Sequence, residues 1–192
     1  MKKALFITFE GGEGSGKSTQ IEYLREYLAG KGMRVAVFRE PGSTAVSEQI
    51  RNILLHTDRD ICPQAELFLY CAARAQLVNE TLARALEEND AVICDRYSDS
   101  TRVYQGYALG LGMEAIEDTV RFAQQGLEPD ITFFLDITPE EGLKRLPGEK
   151  DRIEQRALEF HRKVHDGYRL LAEQWPGRIK VIPNGIRETT RD

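Results

Sequence analysis

Gly11-Gly12-Glu13-Gly14-Ser15-Gly16-Lys17-Ser18 fits the pattern Gly-x-x-x-x-Gly-Lys-[Ser/Thr] and follows an apolar run, Ala4 to Phe9. Gly-rich turns join many strands to helices, but strand, glycine loop, Lys-Ser-Thr and helix in that order mark a phosphate-binding loop. The glycines let successive backbone N–H groups turn inward on a polyphosphate, Lys17 reaches its β and γ oxygens, and Ser18 holds Mg²⁺. A helix beginning near Ser18 adds its positive end to the same anion. Gly11 through Ser18, with Thr19 behind them, are therefore expected to bind a nucleoside triphosphate.

The rest of the composition agrees with one enzyme-sized unit. A chain of 192 residues suits a single α/β domain, 1–192, with a core large enough to need no staples. Acidic residues number 31 against 26 basic, so the net charge of −5 argues against a general nucleic-acid binder. Cationic side chains are expected instead where an anionic small molecule sits. Cys62, Cys71 and Cys94 have no paired metal spacing, which points to free thiols in a reducing cytoplasm. Met1-Lys2-Lys3 before an apolar run has the look of a signal peptide, yet the run stops at Glu10 without a small-residue cleavage site. It reads as the first strand. No stretch approaches the roughly 18 consecutive apolar residues of a membrane span, so no membrane is expected.

Short runs rich in Val, Ile and Phe at Ala4–Phe9, Arg34–Phe38, Ala91–Cys94, Ile131–Leu135 and Ile179–Ile182 predict five buried strands. Between them, apolar spacings of three and four predict helices over Ser18–Ala29, Val46–Leu55, Ala65–Glu87, Glu114–Gln125 and Ile153–Glu173. Strands alternating with helices imply a parallel sheet covered on both faces, with ligands at the carboxyl ends of its strands. Charged clusters stand at those ends: Arg39-Glu40-Pro41-Gly42 after the second strand, Asp95-Arg96-Tyr97 after the third, and Asp136 at the end of the fourth.

A phosphate loop alone leaves ATPase, GTPase switch and kinase open. The GTPase reading needs an Asp-x-x-Gly and an Asn-Lys-x-Asp segment, and neither occurs. Asp95 is placed like the acid that supports Mg²⁺ beside Ser18, or else like a helix N-cap. Arg96 at a strand end beside the loop fits a clamp on a second phosphate. Arg39 either converges on the same spot or is a rim charge. Tyr70 and Arg74, four apart on one helix face, can stack on a base and bond its edge, or belong to the core.

The chain resembles the bacterial thymidylate kinases along nearly its whole length. The likeness is carried by Phe9 through Thr19, by Arg39-Glu40-Pro41-Gly42, by Asp95-Arg96-Tyr97 with Tyr104-Gln105-Gly106, and by Asp151-Arg152-Ile153-Glu154. The resemblance implies a three-layer P-loop kinase fold, a five-stranded parallel sheet flanked by helices with a short lid at about 144–153, and a homodimer. It implies Mg²⁺-dependent transfer of the γ-phosphoryl of ATP to dTMP, giving dTDP. Arg96 and Arg39 would hold the acceptor phosphate, Tyr70 would stack on thymine where the family usually has Phe, and Arg74 would bond the carbonyl edge. Glu13 would lie near the sugar 3′-hydroxyl, and Tyr104 would crowd out a ribose 2′-hydroxyl. Ser100, Thr101 and Gln105 complete the acceptor pocket. Gly14 stands where some relatives carry an arginine, so the catalytic lid cations would be Arg145 and Arg152.

Three further expectations follow. His161 and His165, four apart without the Glu of a zinc-protease helix, read as solvated histidines. Asn184 to Asp192 is too short and polar for the C-terminal helix common in the family. The helices Val46–Leu55 and Ala65–Glu87 are candidates for the dimer surface. Two rivals remain. A deoxynucleoside kinase would need a carboxylate base, for which Glu40 is the candidate, and a nucleotide-gated binding protein would hold ATP without transfer.

Overall fold

Five strands pair in parallel in the order β2-β3-β1-β4-β5. They are β1 (Leu5–Glu10), β2 (Val35–Arg39), β3 (Ala91–Asp95), β4 (Ile131–Asp136) and β5 (Ile179–Pro183), in a computed structural model that describes residues 4–183. Alternation along β1 sends Phe6 into a cluster with Leu77, Leu82 and Leu86, and sends Ile7 and Phe9 to the opposite face with Ile21. Thr8, a buried polar side chain on the Phe6 face, is satisfied by Thr132, with 2.7 Å between the two hydroxyl oxygens. Phe9 and Arg39 both pair with Asp95, so the register carries Glu10, Arg39 and Asp95 to one edge of the sheet.

Helix α1 (Lys17–Gly30) covers the Ile7 face with Ile21, Leu24 and Leu28. On the other face, α3 (Pro63–Leu77) runs through a π-helical turn, Val78–Leu82, into α4 (Ala83–Glu88). Helix α2 (Ala45–His56) precedes them, and its N-cap Thr44 accepts from Ser47 N at 3.1 Å. After β3 come α5 (Ser98–Thr101) and a π-helical stretch, Arg102–Ala108. Sequence periodicity gives no helix there, because Arg102, Val103, Tyr104, Gln105 and Gly106 are buried in unbroken succession and no polar face remains to mark a period.

Helices α6 (Met113–Gln124), α7 (Pro139–Lys144) and α8 (Leu158–Gln174) complete the layers. Helix α8 begins later than the expected Ile153, because Asp151 Oδ1 accepts from the backbone N–H groups of Ile153 and Glu154 and holds a turn there. Its Tyr168 ring then stacks on Phe134 at 5.1 Å. The expectation about the chain end concerns residues 184–192, which lie outside the described residues.

Candidate active site

The glycine loop leaves β1 at Glu10 and enters α1 at Lys17. Gly14 has φ +66°, and a Cβ on it would run into the backbone carbonyl of Gly142 in α7. A side chain at this position is thus excluded by the docking of α7 on the loop. Lys17 Nζ donates to the carbonyls of Gly11 (3.2 Å) and Gly12 (3.0 Å) and to Ser15 Oγ (3.2 Å). Burial, followed by the charge of Arg96, pushes its ammonium below the ordinary value. Ser18 Oγ donates to Asp95 Oδ2 at 3.4 Å. The loop opens on a cleft of about 1320 Å³ that Arg39, Arg51, Arg96 and Arg145 also line.

Arg96 follows β3 in a left-handed conformation (φ +66°), held by its N–H to Phe9 O at 3.0 Å. That turn aims the guanidinium back at the loop, where it donates to Glu13 Oε1 and to the Gly11 carbonyl, each at 2.9 Å. Tyr104 donates to the same Glu13 oxygen at 2.7 Å and lays its ring 5.2 Å from the Arg96 guanidinium carbon. Burial alone would raise the Glu13 carboxyl, but Arg96, Lys17 and the Tyr104 hydroxyl outweigh it and hold the pKa down at about 2. Beneath this cluster Glu10 is fully buried and accepts from Tyr97 N (2.8 Å), Ser100 Oγ (2.6 Å) and Tyr168 OH (2.7 Å). Burial, with Asp99 nearby, pushes its carboxyl up.

A smaller pocket of about 90 Å³ adjoins the cleft, with Tyr70, Thr101, Tyr104 and Gln105 in its wall. Glu13, Arg51 and Arg96 line both cavities. Arg74 does not line the pocket. It is 1% exposed, and each of its three guanidinium nitrogens donates a hydrogen bond inside the protein. Nε and Nη2 reach Glu40 at 2.8 and 2.7 Å, Nη2 also reaches the Tyr97 carbonyl at 3.0 Å, and Nη1 reaches Thr101 Oγ1 at 3.0 Å.

Other expectations shift. Arg152 does not face the cleft: its Nη2 donates to Glu66 at 2.6 Å and its Nε to the Leu54 carbonyl at 2.6 Å, because a fully buried carboxylate draws it inward. Arg39 lines the cleft with a side chain 54% exposed and docked on both oxygens of Glu48 at 3.0 Å. Neither histidine is solvated as expected: His161 is 3% exposed, and His165 Nε2 lies 2.7 Å from Asp136 Oδ1. Arg51, with Nη1 on the Pro41 carbonyl at 3.0 Å, is the site residue that the sequence reading misses. Its signal was faint, a lone basic residue one turn past Glu48 on α2.

Ser18 and Asp95 offer the hard oxygen donors that Mg²⁺ takes when phosphates and waters supply the rest of its shell. Among the described residues no cluster of three or more His, Cys, Asp or Glu side chains could hold a metal by itself. Nor is any helix among them long and apolar enough to cross a membrane.

Comparison with known proteins agrees with this geometry. The family model described as "Thymidylate kinase" matches residues 9–191. A thymidylate kinase from Thermoanaerobacter sp. (strain X514) is 46% identical over 187 residues, covering 97% of this chain and 92% of that one. One from Caldanaerobacter subterraneus subsp. tengcongensis is 48% identical over 184 residues, 95% of this chain and 88% of that one. The crystal structure of thymidylate kinase from Ehrlichia chaffeensis superposes with a TM-score of 0.78 at 33% identity, over 94% of this chain and 93% of that chain. A phosphate loop facing an arginine-lined cleft, with an aromatic pocket behind it, thus comes with likeness across nearly the whole length, and the chain belongs to the thymidylate kinase family.

Proposed function

We propose that this chain transfers the γ-phosphoryl group of ATP to dTMP, yielding dTDP and ADP. The observation that carries the reading is the shared wall: Glu13, Arg51 and Arg96 border both the phosphate-loop cleft and the aromatic pocket. A nucleotide with its base in the small pocket would have its phosphate at that wall, facing the end of the loop where ATP presents its γ-phosphoryl.

The acceptor is a phosphate monoester with a second pKa of about 6, mostly dianionic at neutral pH, so no general base is required. The obstacle is repulsion between two polyanions in line, which positioned cations relieve. Lys17 serves the donor phosphates, Arg39, Arg51 and Arg96 the acceptor phosphate, and Arg145 approaches from the short lid at about 144–153. Ser18 and Asp95 would hold Mg²⁺, which would supply charge neutralisation to the donor phosphates. Tyr70 stacks on thymine, and Thr101 and Gln105 meet its edge, with Arg74 holding Thr101 from behind. Glu13 takes the 3′-hydroxyl, and Tyr104, held against Glu13, fills the space of a 2′-hydroxyl. The buried Glu40–Arg74 pair speaks against Glu40 as a base for a neutral 5′-hydroxyl.

The enzyme acts as a cytoplasmic homodimer on small molecules, with no nucleic-acid or membrane partner. Exposed apolar residues on adjacent helices support the dimer: Val46 and Ile53 on α2, Phe68 on α3 and Phe122 on α6. The test of function is Mg²⁺-dependent ADP release with dTMP, dUMP, thymidine, dCMP, dGMP and AMP offered separately. Turnover with dTMP in first place is expected. Turnover with thymidine instead, or silence with all six, would overturn the assignment.

A further inference from the structure

Glu66 lies on α3 one turn before Tyr70 and is fully buried. Three side chains from two other parts of the chain meet on it. Gln105 Nε2 donates to its Oε1 at 2.8 Å, and Arg152 and Arg156 each bring Nη2 to its Oε2 at 2.6 Å. The two oxygens thus have separate duties, one for the amide and one for the guanidinium pair. A carboxylate only accepts hydrogen bonds, so the Gln105 amide is obliged to turn its NH₂ toward Glu66. Its carbonyl oxygen is then left for the other side, and Gln105 lines the aromatic pocket.

We propose that Glu66 sets the base specificity of the acceptor pocket as a positioning residue, by fixing the Gln105 amide so that it presents an acceptor and not a donor to the bound base. This rests on the reading of the pocket as a nucleotide-base site. Thymine and uracil carry a hydrogen on N3 and offer a donor there, whereas cytosine N3 has a lone pair and offers an acceptor. An amide oxygen held in place satisfies the first and leaves the second facing a like partner. Rejection of this kind comes from buried polar groups left unpaired, not from pocket size. The arginines keep the carboxylate in place from behind, so the flip that a solvated glutamine makes at little cost is blocked here.

The readout is the ratio of kcat/KM for dTMP to that for dCMP. In Glu66→Gln the two guanidinium groups retain the new amide's oxygen, its NH₂ turns to Gln105, and Gln105 reverses to present its own NH₂ to the pocket. The ratio is expected to fall about tenfold or more. A general loosening of the fold lowers turnover of both acceptors together and leaves the ratio alone. Gln105→Met is expected to lower the ratio as well, and Glu66→Gln in that background to change it no further. Glu66→Asp keeps the charge that both arginines need while withdrawing it from Gln105, and a drop of a few-fold is expected. It carries the test if Glu66→Gln does not fold. A folded Glu66 variant with the wild-type ratio overturns the proposal while Gln105→Met still alters it. If Gln105→Met is also without effect, the proposal falls because Gln105 does not meet the base. If the wild-type protein does not turn over dTMP, the underlying functional reading is what fails.

Discussion

Glu13 meets Arg96 and Tyr104, 83 and 91 residues away along the chain, close to the loop lysine, and its folded pKa of about 2 lies below the ordinary 4.5. A lowered carboxylate contributes stability that is fully present above pH 4.5 and is lost as pH falls through about 2. A shift of this size corresponds to about 3 kcal/mol at neutral pH. Urea unfolding of the wild type and of Glu13→Gln should therefore differ by up to that amount at pH 7, and by less than half of it at pH 3. An equal gap at both values would refute the linkage. Lys17 is a different case: burial pushes its ammonium below the ordinary value, so the charge is held at a cost to the fold and not as a gain. Lys17→Ala is expected to cut dTMP-dependent ADP release by about 10³ or more with the circular dichroism and melting temperature preserved. Both residues were legible within a single loop motif. Arg51 was not, since its role depends on a helix that happens to pass both cavities.

Helix α7 shows how one element can place another's chemistry. It docks by Gly142 on the loop at Gly14, and Arg145, three residues on, reaches the cleft. Arg152, seven residues further along a turn-rich segment, is captured by Glu66. A charge run in sequence carries no mark of which arginine will find a buried partner, so Arg145 and Arg152 were indistinguishable there. The structure separates their expected phenotypes. Arg145→Ala should lower kcat at least tenfold while the dTMP KM and the melting temperature hold, the signature of a contact made in the transition state. Arg152→Ala should cost about 2 kcal/mol in urea unfolding, because it strips one of two cations from a buried carboxylate. A kcat defect in Arg152→Ala without loss of stability would reverse these roles. Helix boundaries behaved in the same way: α1 was visible in its apolar stripe, whereas Arg102 through Gly106 are buried in succession and leave no stripe to see.

At the scale of the molecule, the neighbouring helices α2, α3 and α6 each carry exposed apolar side chains, with Phe68 61% and Phe122 87% exposed. Sedimentation velocity should find the wild type dimeric and Phe68→Asp monomeric; a wild-type monomer would remove the assembly from the proposal. The helices Val46–Leu55 and Ala65–Glu87 could be nominated from their apolar content, but Phe122 could not, because a strip across three helices exists only after they pack. The same division runs through the whole protein. Local chemistry determined the glycine loop, the five apolar strands and the charged residues at their carboxyl ends, since hydrogen-bonding geometry and side-chain period act over a few neighbouring residues. The tertiary structure decided which of the arginines face the cleft, that Arg74 lies beneath the pocket wall, and that Glu66 holds both Gln105 and Arg152. Those outcomes turn on which buried carboxylate each cation or amide meets, and the partners lie 34 to 86 residues away along the chain.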